Sequence, residues 1–95
     1  MRNTKEYIEH CLSKQYKNLH SVQAFYKDAI KDELCYRCGY FPDNTEAHLF
    51  ADELKDFYTQ NSIPYSIYYD GYELYENNSS HLYGCRVSDF VKLEW

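Results

Sequence analysis

The run Cys35-Tyr36-Arg37-Cys38-Gly39, inside the stretch ELCYRCGYF, holds the residue types best suited to chemistry in this chain. Zinc asks for four ligands in a tetrahedron, and a C-x-x-C-G knuckle can aim two sulfurs at one ion while glycine relieves the turn. The other ligands would be His81 and Cys85, or His48 with one of them; a spacing of four along a strand sets His81 and Cys85 on one face. The flanking residues argue the other way. LCYRCGYF also reads as a strand, and strand residues three apart point to opposite faces, so Cys35 and Cys38 could not share an ion. The sequence has no second C-x-x-C and no H-x-x-x-H. No cofactor is therefore expected and the thiols read as packed and reduced. The alternative is a zinc-stabilised adaptor on Cys35, Cys38, His81 and Cys85.

Other chemistry finds less support. A redox C-x-x-C belongs at a helix N-terminus, where the dipole lowers the thiol pKa, but here the next helix signal comes only after Pro42. Glycine-rich phosphate loops, G-x-S-x-G and H-E-x-x-H are all missing. His10 and His20 read as solvated helix residues. A non-enzymatic protein is expected.

The elements that must position these residues follow from periodicity. Ile8, Cys11, Leu12, Tyr16, Leu19, Val22, Tyr26, Ala29 and Ile30 fall on one side of a helical wheel, with Asn3 and Glu6 as a capping box. A single helix over that length would run about 40 Å, so a break is expected near Asn18 to Ser21. A strand is expected around Leu34 to Phe41. A further helix starts at Asp43 or Asn44, fades at Asn61 before Pro64, and buries Ala47, Phe50, Ala51, Leu54, Phe57 and Tyr58. From Ile63 the period becomes two: Ile63, Tyr65, Ile67 and Tyr69 face inward, and Asp70-Gly71 marks a type I′ hairpin. NNSS is the next turn. HLYGCRV and FVKLEW then read as strands, with Val91, Leu93 and Trp95 alternating against Lys92 and Glu94. The fold class is α+β, with N-terminal helices and one further helix packed on one face of a small, mainly antiparallel sheet, and residues 1–95 forming one domain.

Composition points to the surface. The chain carries 15 Asp and Glu against 10 Lys and Arg, a net charge of −5, with its bases scattered; this disfavours direct nucleic-acid binding and suits a basic partner. Its 12 Tyr and 5 Phe supply rings whose phenols need water or hydrogen bonds, and Tyr is enriched in protein contacts. No apolar leader or membrane-length run is present, so a cytoplasmic location is expected.

Two patches stand out. Leu49, Asp52, Glu53 and Asp56 share the helix face opposite the core, with Lys55 pointing elsewhere and Leu49 as an apolar anchor. On the hairpin, Tyr68, Asp70, Tyr72, Glu73, Tyr75 and Glu76 interleave rings and carboxylates. These residues are the expected contact surface for a basic, nucleic-acid-binding protein. In size and charge the chain resembles phage or plasmid counter-defence inhibitors, such as anti-CRISPR and anti-restriction viral proteins, and toxin immunity proteins. Homodimerisation would use the same Tyr- and Leu-bearing faces.

Overall fold

The computed structural model describes residues 4–14, 16–27 and 33–84. Asn3 as a cap, Ala29 and Ile30 on a helical stripe, Cys85 as a ligand, and strands reaching Val91, Leu93 and Trp95 lie outside those residues. Helix α1 (Thr4–Leu12) leads to strands β1 (His20–Lys27) and β2 (Leu34–Phe41). Helix α2 (Asn44–Gln60), strands β3 (Tyr65–Tyr69) and β4 (Tyr72–Asn77), and a short 3₁₀ helix (Ser79–Gly84) follow. The strands form one antiparallel sheet in the order β2-β1-β3-β4. The α+β class expected from the sequence is the one adopted.

The helical stripe beyond Leu12 is corrected. Asn18 turns the chain at φ 67°, and His20 to Lys27 forms the central strand β1. Ser21, Val22, Gln23, Ala24 and Phe25 are all buried there. A strand covered on both faces loses its two-residue alternation, so scattered apolar positions along it also satisfy a helical wheel. Tyr16 and Leu19, which complete that stripe, are exposed.

Two clusters make the core, one on each face of the sheet. Val22, Ala24, Tyr65 and Ile67 meet Ala47, Ala51, Leu54 and Tyr58 of α2. On the other face, Phe25 and Leu34 meet Tyr7, Ile8 and Cys11 of α1 and Leu82 of the 3₁₀ helix. The helices thus divide between the faces, which corrects the one-sided packing expected above while leaving the fold class unchanged. Buried Gln23 anchors α1: its Nε2 donates to the Cys11 carbonyl at 2.6 Å and to Tyr36 Oη at 2.9 Å. Leu82 also explains why HLYG does not extend as a strand. Asn78 turns at φ 40°, His81 N–H closes on the Asn78 carbonyl, and the tight helix drops Leu82 onto α1.

Local chemistry sets α2 and the hairpin as read. Asp43 caps α2, its Oδ1 accepting from Thr45 N–H at 2.7 Å. Asp70 at φ 50° and Gly71 at φ 88° give the two positive angles of a type I′ turn. Tyr58 is 1% exposed and stacks on Tyr26, yet among the described residues its hydroxyl has no hydrogen-bond partner. Tyr58→Phe removes that unsatisfied group and keeps the ring, so stability should rise by about 1 kcal/mol, read as a higher urea midpoint. A fall of that size would show that the phenol is bonded in solution.

Candidate functional site

The C-x-x-C run is a flat strand. Cys35 is the cross-strand partner of Tyr26 on the α2 side, and Cys38 is the partner of Gln23 on the α1 side, so their sulfurs diverge. Gly39 serves packing there. A Cβ would sit 2.9 Å from the Phe41 ring and 3.3 Å from Phe50, which close over it. His81 lies on the exposed 3₁₀ helix. Among the described residues no three His, Cys, Asp or Glu side chains converge where they could hold a metal ion.

The two surface patches meet. On α2, Leu49 is 58% exposed, Glu53 and Asp56 are exposed, and Asp52 is half-buried. Phe57, expected in the core, is 55% exposed and borders the same ridge. It lies about 80° around the helix from Leu49, at the boundary between the two faces, where a wheel alone does not decide burial. The acidic ridge is therefore flanked by two large apolar side chains. Tyr75 of β4 joins the other flank, its Oη donating to Asp52 Oδ1 at 2.6 Å. That bond raises the Tyr75 pKa, with burial and the nearby Asp52 and Asp56 charges adding to it. Lys55 corrects the sequence reading, since its Nζ sits 4.3 Å over the Tyr75 ring, beside the ridge.

The hairpin residues split between the faces. Tyr75 opposes Ile67 and Tyr72 opposes Tyr69, both on the α2 side, and Tyr72 is 79% exposed. Glu73 opposes Tyr68 and Glu76 opposes Ser66 on the α1 side, where Glu73 accepts from Ser66 Oγ at 3.2 Å. Tyr68, read as outward, is half-buried against Phe25, because α1 covers the face that the sequence reading left to solvent. Asp70 is turned inward. Its Oδ1 accepts from Ser21 N–H at 2.8 Å, tying the hairpin to β1. Compared with protein-family models, curated proteins and solved structures, the chain matches none.

A second cluster escaped the sequence reading. His20, read as a solvated helix residue, heads β1 with Nδ1 2.7 Å from Tyr69 Oη and 3.6 Å from Asp70. His48 stacks on Tyr69 at 4.6 Å, with Nδ1 held by the Asn44 carbonyl. These contacts clasp β1, β3 and α2 together at one end of the sheet. No local motif announces them, since His20 and Tyr69 are 49 residues apart. No helix among the described residues is long and apolar enough to cross a membrane.

Proposed function

We propose that this chain is a non-enzymatic binding protein that inhibits a nucleic-acid-handling protein by covering its basic site. The contact surface is the α2 ridge of Leu49, Asp52, Glu53, Asp56 and Phe57, extended by Tyr75 and Tyr72. The observation that carries this reading is the Tyr75–Asp52 hydrogen bond, which makes one surface of two patches. Exposed Leu49 and Phe57 supply apolar anchors, and Glu53 and Asp56 supply the charge that a Lys- or Arg-lined groove would neutralise. The phage or plasmid counter-defence role, of the anti-CRISPR or anti-restriction kind, is the biological setting of this mode of action.

A net charge of −5 spread over the whole chain is far sparser than a duplex, with its charge about every 1.7 Å of axis. The proposed action is therefore local obstruction of a groove, without mimicry of a helix. The test is capture from a bacterial lysate at low and high salt, followed by assay of nucleic-acid binding by the captured protein with and without this chain. The expected result is salt-sensitive capture, suppressed nucleic-acid binding, and loss of both in the double variant Glu53→Lys and Asp56→Lys. Capture unaffected by salt and by that variant, with nucleic-acid binding intact, would end the reading.

A further inference from the structure

The contact between Lys55 and Tyr75 has a chemistry of its own. An ammonium lies 4.3 Å over the centroid of a ring, well inside the roughly 6 Å range of cation–π attraction. The hydroxyl of the same ring donates to a carboxylate, Asp52. Asp56 is near enough to act on the phenol electrostatically. A π face with carboxylates at its edge is a receptor for one cationic side chain. Here the chain's own lysine fills it. Each partner is individually ordinary on a helical surface, but the ring comes from β4, and its position depends on the β-bulge between Ile67 and Tyr68. The bulge makes Leu74 the extra residue and sets Tyr75 on the α2 side opposite Ile67.

We infer that the Tyr75 ring, with Asp52 and Asp56, is a subsite for one lysine or arginine side chain of a basic protein segment, and that Lys55 is its built-in competitor. This rests on the docking reading above and specifies it: the partner's cation takes the ring face while Lys55 swings to solvent. Lys55 then lowers affinity for weakly basic surfaces and is displaced where several cations arrive together on one segment. The wild-type chain thus discriminates among basic partners by how many cations they bring at once.

Decalysine is the probe, titrated into the intact chain and followed by NMR. Lys55 Nζ lies over the Tyr75 ring, so the adjoining ε-methylene protons should be shifted upfield by the ring current in the free chain and should move to the solvent-exposed position as peptide binds. Lys55→Met should then bind decalysine about two- to fivefold more tightly than Lys5→Met, which removes the same charge from an exposed position on α1. Tyr75→Phe should keep the upfield shift, because the ring remains. Tyr75→Leu should abolish the advantage of the Lys55→Met background. Equal affinities for the Lys55 and Lys5 variants, with an unmoved Lys55 resonance, would overturn the subsite while leaving the ridge intact. If Glu53→Lys with Asp56→Lys binds decalysine as the wild type does, or if the wild type does not bind it, the docking reading fails and the subsite with it.

Discussion

Phe25→Ala should destabilise this protein by about 3 to 5 kcal/mol, the cost of emptying a fully buried aromatic site. Phe25 is 0% exposed and lies under α1. It stacks on Tyr36 at 5.1 Å and meets Tyr68 edge-on at 5.9 Å. Neither ring can fill the void without leaving its own strand register. For 95 residues the whole stability is on the order of 5 to 14 kcal/mol, so the variant should melt roughly 15 to 30 °C lower and sit near the edge of folding. Phe57→Ala is the matched control. Its ring is 55% exposed, and the change should fall within about 0.5 kcal/mol. The pair also decides the nature of β1. A continuous helix through Val22 and Tyr26 would put Phe25 off the apolar stripe and make its loss cheap. Similar melting temperatures for the two variants would overturn the central strand.

Why β1 was hidden while α2 was plain comes down to how each is covered. α2 buries one stripe and wets the other, so Ala47, Ala51, Leu54 and Tyr58 recur at helical spacing behind the Asp43 cap. The Asp70-Gly71 turn and the bounds of β2 are equally local, fixed by positive φ and by aromatic, extended-chain chemistry. β1 lies between two strands and under helices on both sides, so its side chains from Ser21 to Phe25 are all enclosed and polarity ceases to report orientation. Gln23 shows the limit most sharply. A buried glutamine looks like solvent in the sequence, and its burial makes sense only once the carbonyl of Cys11 is above it.

The surface divides in the same way. Asp52, Glu53 and Asp56 could be placed outward from periodicity alone. That Tyr75 would reach Asp52 could not, because the bulge at Ile67 and Tyr68 resets the alternation along β4 and brings Tyr75 to the α2 side. The same reset sends Glu76 to the opposite face, across from Ser66, whereas Glu73, ahead of the bulge, pairs with Tyr68 in the register set by the turn. Strand alternation is a phase, and one extra residue changes it for everything downstream.

Alkaline pH should unfold this chain through its phenols. Burial pushes the Tyr58 and Tyr36 hydroxyls well above the ordinary 10.0; at Tyr36 the hydrogen bond donated by Gln23 opposes the rise and the neighbouring Cys38 adds to it. Burial, then the neighbouring Cys38, pushes Tyr40 up to about 12. The sign follows from which state releases protons. The folded chain holds these phenols neutral above pH 10, whereas the unfolded chain ionises them at that point. Their contribution to stability is complete below about pH 10 and is lost as pH climbs towards their folded values. Each phenol held neutral in this way costs about 1.4 kcal/mol of stability per pH unit, so Tyr58 and the half-buried Tyr36 together remove at most about 3 kcal/mol per unit. Tyr40 adds less, because it is partly exposed and its charge would be screened. By pH 12 the loss reaches about 6 kcal/mol, which exceeds a stability at the lower end of the range of about 5 to 14 kcal/mol and removes nearly half of one at the upper end. Urea midpoints measured from pH 8 to 12 should be flat up to about pH 10 and fall steeply beyond it, and the late tyrosinate absorbance should appear together with loss of the fold. Tyr58→Phe should make the fall shallower by about one phenol's share. A native chain that ionises all its tyrosines near pH 10 while keeping its sheet would show that these rings are wet and that the aromatic core is not closed.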